Sequence, residues 1–183
     1  MTCIVGLAPG DGTVWMGADS FQGRENGDTR TQDVHPKIFI RKQDSPVAHN
    51  SMIIGVSGHM RVAQILEHIW SVPECVDSTD PLKWIMRIMI PSLQQELDKK
   101  FDANRLLLGL RGRLFCLCPD WTVVENAHHY DAIGSGEPFA KGSLCTTELC
   151  TKMLDPETRI RTALEASERH CVDVRAPFTV MHI

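Results

Sequence analysis

The sequence predicts an α+β protein built as a four-layer α/β/β/α sandwich, two packed antiparallel sheets with helices on both outer faces. Three observations lead there. Short apolar runs of strand type are separated by turn residues only a few positions long, which favours antiparallel neighbours. Runs with helical spacing come in pairs between the strand groups, in the order strands, two helices, strands, two helices, strand. No repeat, low-complexity tract or linker interrupts the 183 residues, so one domain spanning 1–183 is expected.

The elements follow in order. Thr2–Ala8 is rich in Ile, Val and Leu; Pro9-Gly10-Asp11-Gly12 is turn chemistry; Thr13–Ala18 resumes a strand that Asp19-Ser20 ends. Residues 21–33 are polar and read as a loop. A strand enters at His35–Arg41, residues 43–51 read as a turn, and Met52–Val56 is a fully apolar strand ending in Ser57-Gly58. The period then changes. Val62, Ile65, Leu66 and Ile69 share one helical face. A second helix has Asp80 as N-cap and Pro81 at its first position, and its stripe of Leu82, Ile85, Met86, Met89, Leu93 and Leu97 runs through Pro91, where a kink is expected. Leu106–Leu110, Arg113–Cys118 and Trp121–Glu125 read as three short strands, and Tyr130–Ile133 leads as a further strand into Gly134-Ser135-Gly136. Pro138–Cys150 reads as a third helix. A fourth starts at Asp155-Pro156-Glu157 and carries Ile160, Ala163 and Leu164; Val172 onward reads as a closing strand.

Composition narrows the function classes. The 43% hydrophobic and 23% charged fractions are those of an ordinary globular protein. The net charge of -4, with no basic run, argues against nucleic acid, and no apolar run is long enough to span a membrane. The N-terminal residues lack the charged and apolar regions of a signal peptide, so a cytoplasmic protein is expected. Seven irregularly spaced cysteines suit reduced, mostly buried thiols. Cys116 and Cys118 share a strand face but have no second ligand pair in sequence, which makes a zinc site improbable, and adjacent His128 and His129 would point to opposite faces of a strand.

The residue with the most specific chemistry is Thr2, directly behind Met1. A small second residue permits removal of the initiator methionine. The exposed threonine then carries a hydroxyl nucleophile and a free α-amine that serves as its general base. Such an amine titrates near pH ~8, and a neighbouring cation lowers that value.

Several motifs resemble the proteasome β-type subunits, nearest the bacterial HslV branch of the N-terminal nucleophile (Ntn) hydrolases. They are Thr2-Cys3-Ile4-Val5, Gly17-Ala18-Asp19-Ser20, Lys37-Ile38, Ile54-Gly55-Val56-Ser57-Gly58, and the string from Ala132 through Ala140, AIGSGEPFA. The resemblance covers most of the chain and implies a threonine-type endopeptidase subunit of a self-compartmentalising ring. It implies Thr2 as nucleophile, Lys37 beside the amine and hydroxyl, Asp19 pairing with Lys37, the Gly58 N–H as oxyanion donor, and Ser135 hydrogen-bonded to the N-terminal amine. It also implies stacked hexameric or heptameric rings of identical subunits, an AAA+ ATPase unfoldase ring as partner, and unfolded proteins as substrate. No cofactor is implied for peptide hydrolysis. A structural monovalent or alkaline-earth cation is implied on main-chain carbonyls matching Glu168, Cys171 and Val174. The chain departs from the family near the end of the last helix, where an aspartate is usual: Arg169 falls there by direct count, with Glu168 beside it. A ring-forming scaffold without activity is therefore the rival reading, and an amidase acting on a small amide is a third.

Overall fold

A computed structural model describes residues 2–23, 30–32, 35–42, 51–76, 79–150 and 154–183. The strands are β1 (Cys3–Leu7), β2 (Trp15–Asp19), β3 (Phe21–Gly23), β4 (Arg30–Gln32), β5 (Ile38–Lys42), β6 (Ser51–Ser57), β7 (Arg105–Leu110), β8 (Arg113–Leu117), β9 (Val123–Glu125), β10 (Tyr130–Gly134) and β11 (Phe178–His182). The helices are α1 (Met60–His68), α2 (Pro81–Trp84), α3 (Ile90–Leu97), α4 (Glu137–Leu149) and α5 (Pro156–His170). One sheet has the order β10-β1-β2-β11 and the other β5-β6-β7-β8-β9; all pairings in both are antiparallel.

Strand alternation distributes the side chains among three apolar layers. Cys3, Val5 and Leu7 of β1 pack with Ala140 and Leu144 of α4 and with Ile160, Ala163 and Leu164 of α5. Ile4, between them in sequence, faces the other way and joins Met16, Ala18, Ile38, Ile53, Leu107 and Ile133 between the two sheets. Met52, Ile54 and Val56 of β6 pack outward with Leu106 and Leu108 of β7 against Val62, Leu66, Ile85 and Leu93. The result is the expected stacking of helices, sheet, sheet and helices. By the same parity Thr2 belongs to the side that faces the space between the sheets, while Cys3 belongs to α5.

The expected elements recur with three differences. Residues 21–23 and 30–32, expected as loop, pair as a two-stranded antiparallel ribbon, β3-β4. Most of the turn expected at 43–51 lies outside the described residues. Where one helix kinked at Pro91 was expected, a π-helical turn, Ile85–Met89, joins α2 to α3, with the Ile90 N–H donating to the Ile85 carbonyl. Proline has no N–H for the Arg87 carbonyl and its ring clashes with that group in a regular helix, and the wider turn just before it relieves both problems. The closing strand begins at Phe178 rather than Val172, because residues 171–176 are engaged with the end of α5 as described below. The Asp80 and Asp155 N-caps form as expected: their carboxylates accept from the backbone N–H groups of Lys83 (3.1 Å) and Thr158 (2.9 Å). No helix among the described residues is long and apolar enough to cross a membrane.

Candidate active site

The site is assembled where β1, β2, β5 and β10 end together. Antiparallel pairing sets Cys3 against Gly134 and Ile4 against Ala18, so the start of β1 lies beside the ends of both neighbouring strands. Thr2 is buried, with 5% of its surface accessible. Its backbone N–H donates to Ser135 Oγ at 3.2 Å, and Ser135 Oγ in turn lies 3.2 Å from the Thr2 carbonyl, which also accepts from the Gly136 N–H at 3.3 Å. The turn can sit this close because residue 134 is glycine. Its φ is +99°, and a Cβ there would lie 2.3 Å from the Thr2 carbonyl oxygen.

Asp19 and Lys37 form a buried ion pair on the other side of the same strand end. Lys37 Nζ lies 2.9 Å from Asp19 Oδ1, and the two residues are 3% and 1% exposed. Asp19 Oδ1 also accepts from the Cys3 N–H at 2.9 Å, which ties the pair to the first peptide of β1. Burial holds the Lys37 ammonium below its ordinary value, with the Asp19 charge and hydrogen bond acting against that shift. A lysine so placed is a desolvated positive charge whose attraction for a developing alkoxide is larger than it would be in water.

Gly58 follows β6. The Lys37 carbonyl accepts from the Val56 N–H at 3.0 Å, so the end of β6 is anchored beside the residue that carries the cation. Gly58 has φ +127°, and a Cβ there would lie 2.2 Å from Asn104 Oδ1. Asn104 is fully buried; its Oδ1 accepts from the His59 N–H at 2.7 Å and its Nδ2 donates to the Lys100 and Asp102 carbonyls at 2.9 and 3.1 Å. Asn104 thus fixes the backbone around Gly58. Sequence reading missed it; a lone asparagine after a helix reads as turn chemistry, and only its burial shows otherwise.

The α5 end carries the departure from the family noted at Arg169. Arg169 is exposed. The Glu168 carboxylate accepts from the Ala176 N–H at 3.0 Å and is used in the connection to β11. The polar residue of α5 that meets the start of β1 is Ser167, which is fully buried: Cys3 Sγ donates to its Oγ at 3.4 Å, and that hydroxyl also lies 3.0 Å from the Gly136 carbonyl and 2.9 Å from the Ala163 carbonyl. A signal for it was present. Ile160, Ala163 and Leu164 continue at helical spacing to position 167, four from Ala163 and seven from Ile160, and not to 169. Cys3 is itself a poor nucleophile, because burial pushes its thiol up to about 12, against the lowering effect of the Ser167 hydrogen bond.

The carbonyls expected to hold a cation are already engaged. Arg175 Nη1 donates to the Glu168 carbonyl at 3.1 Å and to the Val174 carbonyl at 3.0 Å, and the Cys171 carbonyl accepts from the Val174 N–H at 3.3 Å. The acceptors present do not fit a bound metal ion. Elsewhere, His35, Glu67 and His68 bring three ligand atoms within 4.8 Å of one another at the surface. Cys116 is buried with Arg105 Nη2 at 3.5 Å from its sulfur, and His128 and His129 lie in the turn before β10.

No protein-family model matches the sequence, and no curated protein matches it. Solved structures do. BPH from Thiobacillus denitrificans in complex with epoxomicin is similar over 100% of this chain and 98% of its own, at 19% identity and a TM-score of 0.76. HslV from Trypanosoma brucei is similar over 99% of this chain and 98% of its own, at 19% identity and a TM-score of 0.70. Anbu, an ancestral beta-subunit from Yersinia bercovieri, is similar over 99% of this chain and 81% of its own, at 15% identity and a TM-score of 0.69. These likenesses agree with the layer order and strand topology described above, and together they establish that the chain has the α/β/β/α sandwich fold of the proteasome-like Ntn hydrolases.

Proposed function

We propose that the chain is a threonine-type endopeptidase subunit of a self-compartmentalising ring protease, with Thr2 as nucleophile once Met1 is removed. The observation that carries this reading is the convergence at one buried strand end of Thr2, Ser135 on its backbone nitrogen, and the Asp19–Lys37 ion pair. In the mature chain the Thr2 nitrogen is the free amine, and Ser135 Oγ orients it. Thr2 Oγ attacks the peptide carbonyl while the amine, directly or through water, takes the proton. Lys37 stabilises the developing alkoxide, Asp19 keeps Lys37 charged and oriented, and the Gly58 N–H receives the oxyanion. Water activated by the same amine then hydrolyses the acyl-enzyme.

A domain with such a site would digest proteins indiscriminately if it stood open. The reading therefore includes a cytoplasmic homo-oligomer of stacked rings, fed with unfolded protein by an AAA+ ATPase ring. Exposed apolar side chains on the outer helices, Met86 (58% accessible) and Ile88 (46%) among them, suit burial between subunits. The second reading, a ring-forming scaffold without activity, is favoured by the α5 end, where Ser167 rather than a carboxylate reaches β1.

Intact mass of cytosol-expressed protein before and after incubation with the peptide epoxyketone epoxomicin tests the proposal. The expected result is loss of Met1 and one adduct per chain that disappears in Thr2→Ala. Retained Met1 with no adduct would select the scaffold.

A further inference from the structure

The last turn of any α-helix leaves carbonyls without intrahelical partners, at the negative end of the helix dipole. In α5 the Ser167 carbonyl accepts from the Cys171 N–H at 2.8 Å, so the next one, that of Glu168, must find another donor. The chain beyond the helix folds back and brings the Val174 carbonyl to the same place. Val174 itself is fully buried. Two carbonyl oxygens facing one point in a partly buried turn require positive charge or N–H donors between them.

Arg175 supplies both. A single guanidinium nitrogen, Nη1, lies 3.1 Å from the Glu168 oxygen and 3.0 Å from the Val174 oxygen. The Glu168 carboxylate closes the loop from the other side by accepting from the Ala176 N–H at 3.0 Å. The remaining carbonyl of the group, Cys171, is satisfied by the Val174 N–H. We infer that Arg175 is a built-in cation for the α5–β11 connection, standing where carbonyl oxygens would otherwise recruit a metal ion, so that this end of the site is cation-independent. Ser167, which holds Cys3 and Gly136, sits in the same helical turn as Glu168. The guanidinium therefore also steadies the turn from which α5 reaches the Thr2 strand. This inference does not depend on Thr2 cleaving peptides, and its test reads stability rather than turnover.

Thermal unfolding is followed at constant ionic strength in choline, sodium, potassium or magnesium chloride, and with EDTA. The wild-type Tm is expected to be the same in all of them within about 1 °C. Arg175→Ala is expected to lower Tm by roughly 5 °C in choline, as charge-assisted hydrogen bonds are lost from two carbonyls. Potassium, sodium, magnesium or low-millimolar guanidinium then restores much of that loss by filling the vacated position, which a merely structural role for the side chain would not produce. Arg175→Lys, with a point charge in place of the fork, falls between the two and responds more weakly to added cations. A wild-type Tm that rises selectively with one metal cation would overturn the inference. So would an Arg175→Ala protein that matches wild type and ignores every cation. If Arg175→Ala does not fold, the wild-type and Arg175→Lys arms decide in the same way.

Discussion

Two regions meet at Thr2 and are built differently. On one side, the ends of β1, β2, β5 and β10 bring Thr2, Asp19, Lys37 and Ser135 together through backbone-anchored hydrogen bonds and one buried ion pair. On the other, the last turn of α5 reaches the same strand with a neutral hydroxyl, Ser167, and delegates its neighbouring charges, Glu168 and Arg175, to holding the chain that follows. A strand end presents residues whose positions follow from pairing register. A helix end presents whichever residue its rotation turns inward, and a shift of one residue rotates that choice by about 100°.

The largest effect is expected on the strand side. Asp19→Asn leaves Lys37 buried beside a neutral partner, and loss of one member of a buried pair typically costs about 3–5 kcal/mol. Denaturant unfolding is expected to show a loss in that range, and epoxomicin labelling of Thr2 to fall with it. An unchanged midpoint would mean that Lys37 is held elsewhere.

Gly58→Ala comes next. The positive φ and the contact with Asn104 Oδ1 act together, so a loss of roughly 2 kcal/mol is expected, with the β6–α1 turn displaced. The companion variant Asn104→Ala is expected to relieve the contact, so that the double mutant is less destabilised than the sum of the singles. Strict additivity in that cycle would separate Asn104 from the Gly58 backbone.

On the helix side the effects are smaller and rank two residues of the last turn of α5. Ser167→Ala is expected to cost about 1–2 kcal/mol, because the Gly136 carbonyl and the Cys3 thiol lose a buried partner. Arg169→Ala is expected to stay within about 0.5 kcal/mol as an exposed substitution. The reverse order would place the wrong face of α5 against β1.

The smallest effect is chemical. Iodoacetamide at pH 8 is expected to modify the exposed Cys145 and Cys150 and to spare Cys3, whose thiol stays protonated. The linked stability term has a definite sign. The folded value of about 12 exceeds the ordinary 9.0, so the native state keeps a proton that the unfolded chain releases. That contribution is complete below pH 9 and is lost as pH rises through about 12. The stability gap between wild type and Cys3→Ala should therefore narrow over that alkaline window, as read by unfolding at a series of pH values.

Much of this molecule was legible before folding, and particular residues show why. The caps at Asp80 and Asp155, the turn at Gly134–Gly136 and the helical stripes are local matters of spacing and backbone chemistry, and they appear where expected. Asn104, Ser167 and Arg175 were not read as site residues. Each gains its role from a partner distant in sequence or from the burial of a neighbouring carbonyl. The 21–33 segment was read as loop because its polar residues carry no core-forming pattern, yet its ends pair as a ribbon, for which backbone hydrogen bonds suffice.

By itself the sequence determined the alternation that sends Thr2 toward the space between the sheets and Cys3 toward α5, and the residue types able to act there. Period and turn chemistry are properties of the chain alone. The tertiary structure decided which carboxylate is buried against Lys37, which face of α5 meets β1, and that the Arg175 guanidinium faces the carbonyls after α5. Those choices depend on desolvation and on hydrogen-bond geometry among groups that only packing brings together.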